Sequence, residues 1–353
     1  MRGRIPNMFI LIILALLVSI SCEHRELLDP QGMHYIRIYL DEDIRNVTYG
    51  FYNPDLERPE YKSPQVFRAV LASPETGRIV SEKYLSNSGE DERGRYIDGY
   101  MPAMAGTYDF LAYQMGSVVT LVENADNYNT MRAYTKQISS RLMEYLPATR
   151  QNIDEGRIVN QPDLFFHSAH RGIKVRNNTY IDTLLTAEGD YFTAHSMVQS
   201  YYIQVRVSGF EYIRSAVSLL GGLAGSSRIS GHGEFEMSDS VYVFFGMKYT
   251  GKERHAASET TTATLYATFN TFGKLPDAKN VYAICFEFSL SDGSTQMERI
   301  DITDMFDTPI VRDKQWILLE DEILIKPPEG ADKGGGLNPG VDDWEDVQAE
   351  ITM

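Results

Sequence analysis

Tyr201-Tyr202-Ile203-Gln204-Val205-Arg206-Val207 sets Tyr201, Ile203, Val205 and Val207 against Tyr202, Gln204 and Arg206. Successive side chains of an extended strand point to opposite faces, so an apolar residue at every second position marks a strand with one buried face. The pattern recurs in both directions from there. His34 to Leu40 (HYIRIYL) sets Ile36, Ile38 and Leu40 against Tyr35, Arg37 and Tyr39, and Ala263 to Phe269 (ATLYATF) aligns Leu265, Ala267 and Phe269. Gln65–Ala72, Gly106–Gln114, Asp239–Tyr249, Val281–Leu290 and Trp316–Ile325 read as further strands. Turn residues fall between them at Ser73-Pro74-Glu75-Thr76-Gly77, Ser208-Gly209, Thr250-Gly251-Lys252 and Ser291-Asp292-Gly293-Ser294. Many short strands with regular turns specify an all-β sandwich architecture.

Helical periodicity is confined to Asn129–Leu146 (NTMRAYTKQISSRLMEYL), where Met131, Tyr134, Ile138, Leu142 and Tyr145 fall three or four apart. It predicts one short amphipathic insertion. Tyr212–Ala224 has the apolar content of another short helix, which Gly221, Gly222 and Gly225 would break. A chain of 353 residues suggests two domains. The division is expected near Ser168–Lys174, giving an N-terminal β-sandwich over 34–168 and a C-terminal one over 169–328. Residues 329–353 read as a Gly-rich linker (Gly334 to Gly340) and an acidic tail.

At the other end, Arg2 and Arg4 precede Met8 to Val18 (MFILIILALLV), an apolar run of signal-peptide length that is too short to span a bilayer comfortably. It leads into Ser19-Ile20-Ser21-Cys22, which resembles the bacterial lipobox, with Ser19 where a leucine is usual. That resemblance implies a signal peptide over 1–21, an acylated Cys22, and a lipid-proximal tether over 22–33. An ordinary secretory signal, with Cys22 incidental, is the competing reading. A permanent tether needs more than one acyl chain, which a lipoprotein of this kind carries. The expected location is the outer membrane, lipid-anchored, at the cell surface.

The formal net charge of −16 argues against nucleic acid, which needs a basic surface. Twenty-two tyrosines and 16 phenylalanines within 43% hydrophobic residues describe a folded chain. There are two cysteines, and with Cys22 assigned to lipid, Cys285 is left as a buried thiol. No catalytic template is found: Gly225-Ser226-Ser227-Arg228 and Ser230-Gly231-His232-Gly233 miss the nucleophile-elbow pattern, and no phosphate-binding loop is present. His167 and His170 lack the glutamate of a zinc protease, and Asp41-Glu42-Asp43, Asp301 and Asp304 read as loop charges rather than calcium ligands. No cofactor or metal is therefore expected. Tyr35, Tyr39, Tyr201 and Tyr202 sit in strands and read as core and sheet-face residues before a glycan-stacking platform. Asp182-Thr183-Leu184 and Asp239-Ser240-Val241 resemble the O-glycosylation signal of exported Bacteroidota proteins, which makes Thr183 and Ser240 its candidates, although three-residue matches arise by chance and unmodified strand-edge residues are the favoured reading.

Several segments occur in a telling order: Gly106 to Tyr113 (GTYDFLAY), Pro162 to Phe165 (PDLF), Val207 to Ile213 (VSGFEYI), Leu219 to Gly225 (LLGGLAG), Thr271-Phe272-Gly273 and Ile302-Thr303-Asp304. With the lipobox and the Asp343-Trp344-Glu345-Asp346 tail, they resemble the fimbrillin-like lipoproteins of Bacteroidota, in particular the anchor and minor-subunit family of type V pili. The resemblance implies two tandem transthyretin-like β-sandwiches, no enzymatic activity, and other fimbrial or surface subunits as partners. It also implies assembly by strand donation, in which one subunit adds a strand to another's sheet. No long N-terminal strand awaiting removal is evident, which favours an anchor or terminal subunit over a stalk unit. The alternative is a surface glycan-binding lipoprotein of an outer-membrane uptake system. In the tail, Val347, Ala349 and Ile351 alternate after Trp344, and these four are the candidate partner-binding residues; a frayed acidic terminus is the competing reading.

Overall fold

The computed structural model describes residues 32–41, 63–147, 149, 153, 157–177, 182–231, 237–255, 260–275 and 281–328. The chain opens with β1 (Gly32–Leu40), β2 (Phe67–Ala72), β3 (Ile79–Leu85), β4 (Asn87–Asp91), β5 (Gly94–Ala103) and β6 (Gly106–Gln114). It then leaves this group to form β7 (Thr120–Glu123), β8 (Arg132–Thr135), α1 (Ser140–Met143) and β9 (Ile158–Asn160). It returns with β10 (Phe166–Val175), β11 (Asp182–Thr183) and β12 (Phe192–Ser196). The first and third groups build one nine-stranded sheet in the order β3-β2-β6-β10-β12-β1-β5-β4, with β11 beside β1. The sheet curls until its ends meet, where the Ser81 hydroxyl donates to the Pro102 carbonyl at 2.5 Å. Inside lie Ile36, Ile38, Phe67, Leu71, Ile97 and Met101, with the Phe110 and Phe192 rings stacked at 4.0 Å.

The C-terminal half is a sandwich of two sheets. β13 (Gln199–Ser208), β16 (Lys248–His255), β17 (Thr260–Thr271), β20 (Trp316–Leu318) and β21 (Ile323–Leu324) make one; β14 (Ile213–Arg228), β15 (Met237–Gly246), β18 (Ala283–Leu290) and β19 (Thr295–Asp301) make the spine of the other. Ile203, Val205, Val207 and Leu265 on the first face Leu220, Val243, Ile284 and Phe286 on the second. Phe245 and Phe269 stack across the middle at 4.3 Å. A helix α2 (Pro309–Lys314) precedes β20. The alternation that opens at Tyr201 is thus the inner face of β13, paired residue for residue with β17.

Three expectations meet a different outcome. Asn129–Leu146 forms no amphipathic helix: β8 pairs Tyr134 with Ser226, and only Ser140–Met143 is helical, capped by the Ser139 hydroxyl that accepts from the Leu142 N–H. Met131 and Ala133, two apart, enter one core cluster, and Ile138, Met143 and Leu146 enter another, so tertiary contacts override the three-to-four spacing. Tyr212–Ala224 lies almost wholly within the 16-residue strand β14. Burial on both of its faces removes the period-two signature, and its glycines admit neighbours rather than ending a helix: a Cβ on Gly221 would sit 2.4 Å from the Tyr242 ring. The division set at 168–169 falls inside β10, whose partners β6 and β12 belong to the N-terminal sheet. The chain passes finally to the C-terminal sheets between Ser196 and Gln199.

The excursion β7–β9 pairs with the C-terminal half, not the sheet it left. β8 lies against the end of β14, β9 runs parallel to β15, and Gln137 bridges to Val159. A third cluster closes the seam between the halves, bringing Val70, Leu111 and Tyr113 against Phe165, Ala224 and Phe272.

Candidate functional site

Cys22 and the tail residues Trp344, Val347, Ala349 and Ile351 lie outside the described residues, as do Glu42 and Asp43. The remaining candidates are distributed, not gathered. Thr183 stands in β11 opposite Tyr35, half-buried. Ser240 stands in β15 opposite Ala224, and its carbonyl accepts from the Arg157 guanidinium at 2.8 and 3.3 Å. Ser240 borders a cavity of about 740 Å³ walled by β8, β9, β14 and β15 and lined by Glu123, Arg132, Lys136 and Arg157. These cations have partners: Arg132 reaches Glu123 at 3.7 Å and also the Ser226 hydroxyl, and Lys136 donates to the Val118 carbonyl at 2.8 Å.

Three histidines, His167, His170 and His195, are held by structural bonds. His167 Nδ1 is 2.7 Å from the Ile229 carbonyl, His170 Nε2 is 3.1 Å from the Ser168 hydroxyl, and His195 Nδ1 is 2.8 Å from Asp41. All three line a cavity of about 510 Å³ with Glu188 and Asp190. Among the described residues no group of three or more His, Cys, Asp or Glu is placed to hold a metal. Asp301 accepts from the Thr303 hydroxyl and N–H, which lower its carboxyl below the usual value, so it serves a turn. Cys285 is buried under the same cover as Leu219 and Phe244, and burial pushes its thiol up.

The densest polar constellation is one the sequence reading did not assemble. On the outer face of β1 and β5, Tyr35 stands opposite Tyr100, Arg37 opposite Asp98, and Tyr39 opposite Tyr96. Arg37 bonds Asp91 at 3.0 Å, Asp98 at 3.3 Å and the Tyr35 oxygen at 2.9 Å, and its guanidinium lies 3.7 Å over the Tyr96 ring. Tyr35 donates to Asp98, and Tyr39 to Asp91 at 2.8 Å. Burial, then the bond to Asp98, push the Tyr35 hydroxyl up to about 12. A cation over an aromatic face with two carboxylates in reach is self-satisfying. Arg37 in the alternating strand was legible as outward-facing; its partners, 54 and 61 residues away, were not.

The four tyrosines weighed as a glycan platform are spoken for. Tyr39, Tyr201 and Tyr202 are buried, and Tyr35 is locked into the Arg37 network. No helix among the described residues is long and apolar enough to cross a membrane.

Residues 73–246 match the family described as a domain of unknown function, DUF5119. A Bacteroides ovatus protein provisionally named fimbrium anchoring subunit Fim4B is 21% identical over 358 residues, covering 95% of this chain and 95% of its own. A crystal structure of a provisionally named adhesin from Bacteroides ovatus superposes with a TM-score of 0.56 at 22% identity, over 88% of this chain and 98% of its own, which shows the fold. The fimbrial anchor protein Mfa2 of Porphyromonas gingivalis aligns with a TM-score of 0.45 at 12% identity, over 85% and 93% of the two chains. The resemblance read from the sequence is upheld: the chain is similar to the fimbrial anchoring proteins and adhesins of Bacteroidota.

Proposed function

We propose that this chain is a non-enzymatic subunit that anchors a type V-like fimbria, or caps it as a minor component, at the outer surface of a bacterial outer membrane. The observation that carries the reading is the end-to-end alignment with a fimbrium-anchoring relative, 95% of each chain. A shared adhesive module would align over one domain only. The anchor is acyl chains on Cys22, and the partners are other fimbrial subunits, met through Trp344, Val347, Ala349 and Ile351 of the tail added to an exposed sheet edge. The acidic residues Asp342, Asp343, Glu345, Asp346 and Glu350 keep that tail from self-association. Thr183 and Ser240 remain the O-glycosylation candidates of the exported protein. The glycan-binding alternative has less to stand on, because its tyrosines are buried or bonded.

Two variants test the reading in the native host. Cys22→Ala should abolish palmitate labelling and release fimbriae into the medium. A chain ending at Lys333 should stay acylated but co-purify poorly with its fimbrial partner. Palmitate incorporation into Cys22→Ala refutes the anchor, and undiminished co-purification of the truncated chain refutes the tail.

A further inference from the structure

The outer face of β1 and β5 changes character along its length. Towards Leu40 it carries the Arg37 network; towards Gly32 it turns apolar. There Met33 stands opposite Pro102, and the Tyr35 and Tyr100 rings are 5.5 Å apart. Met104 sits in the turn after β5, and Val80 adjoins the Ser81 that bonds the Pro102 carbonyl. Met33, Tyr100, Met104 and Val80 are 43, 46, 48 and 54% exposed, four of the ten large apolar side chains left open among the described residues. Lys174 and Arg176 lie exposed at the same end, since Lys174 pairs with Thr107 and Val175 with Gly106 beside the Met104 turn. Cations here run against a chain of net charge −16.

Position along the chain gives this patch an occupant. Gly32 follows Cys22 by ten residues. At full stretch that reach is about 33–36 Å, so this end is leashed close to any lipid carried on Cys22. Exposed methionines, a tyrosine with an apolar ring and a wet hydroxyl, and flanking lysine and arginine match what a bilayer interface accepts.

We infer that the Gly32 end of the β1–β5 sheet rests on the lipid surface, with Met33, Tyr100 and Met104 entering the headgroup layer and Lys174 and Arg176 meeting lipid phosphates. The inference rests on the lipid-anchored reading above. It goes further by assigning the protein a seated orientation on the membrane instead of free swing on its tether.

The methionines are built-in probes, because a polar oxidant converts exposed Met to the sulfoxide at a rate set by access. Met115, 37% exposed, follows β6 at the opposite end of the sheet and is the control. Residues 22–353, unacylated, are coupled through Cys22 to phosphatidylethanolamine–phosphatidylglycerol vesicles bearing a maleimide headgroup; buried Cys285 does not compete. Oxidation by chloramine is read by peptide mass spectrometry against the same chain capped at Cys22 and free in solution. Coupling should slow Met33 and Met104 by about fivefold or more while Met115 changes less than about twofold. Tyr100→Glu should restore the Met33 and Met104 rates on the vesicle. Equal rates on and off the vesicle overturn the inference, and so does protection that extends to Met115, which reports crowding by neighbouring copies. Because the coupling is chemical, the outcome stands apart from native acylation, which palmitate labelling reports.

Discussion

Two sheet faces in this molecule look away from a hydrophobic core and are finished in different ways. The outer face of β14 and β18 carries Val217, Leu219, Cys285 and Glu287, and Ile138, Leu142, Met143, Tyr145, Leu146 and Ile153 pack over it. Glu287 is 1% exposed there, and its carboxyl oxygen accepts from the Thr149 N–H at 3.1 Å and the Thr149 hydroxyl at 2.6 Å. On the outer face of β1 and β5 the Arg37 side chain stays 22% exposed, and its partners come from its own strand and from β4 and β5 beside it. A buried acceptor has no water to take the place of a lost protein donor such as Thr149. The Arg37 network, partly exposed at Arg37 and Asp91, spreads its bonds over several groups and leaves water as a substitute at those two. Polar residues on two outer faces therefore differ in consequence, and the difference follows burial, not the number of bonds.

Substitutions can break or sharpen that contrast. The baseline is the inner face of the same strand: Phe286→Ala should cost about 3–5 kcal/mol in urea unfolding, because Phe286 is fully buried between the C-terminal sheets. One position along, Glu287→Ala should cost about 1–3 kcal/mol, since it strands two buried donors of Thr149. Glu287→Gln, which keeps an acceptor, should recover most of that loss. Cys285 reports the same event. A charged maleimide should label it slowly in the native protein and faster in Glu287→Ala, where the cover loosens. A labelling rate unchanged by Glu287→Ala would mean that the cover is held by Ile138, Met143 and Leu146 alone. The smallest effect belongs to the open face. Arg37→Ala should cost about 1 kcal/mol or less, and the difference from wild type should shrink in high salt, as for a partly exposed ion pair. A larger, salt-independent loss would make the two faces alike.

What the sequence made legible follows the same physics. Strands with one wet face announce themselves, so β1, β13 and β17 were readable from alternation, and β6 was bounded at Gly106 and Gln114. β14 was not, because apolar neighbours on both sides erase the period, and its glycines look like helix breakers until Tyr242 is seen filling the space over Gly221. Met131 and Tyr134 share a helical spacing by coincidence: one enters the seam between the halves while the other pairs with β14. No local pattern records that β8 and β9 pair with strands 84 to 96 residues later, since pairing across that separation is decided by the assembled core. The Arg37 constellation was hidden for the same reason. The strand showed which way Arg37 faced, and only the fold supplies Asp91, Asp98 and Tyr96.

The repeated crossing of the chain bears on how this fold would respond to tension. β1, the first described strand after the N-terminal segment, is bonded antiparallel to β5 along most of its length and parallel to β12 on its other side. Tension applied at its N-terminal end runs along the strand, so the flanking bonds are loaded together in shear instead of parting one after another like a zip. The chain then visits the C-terminal half through β7–β9 and comes back through β10–β12 before leaving for good. The two halves are consequently stitched rather than merely linked: the chain crosses between them three times, after β6, before β10 and between Ser196 and Gln199.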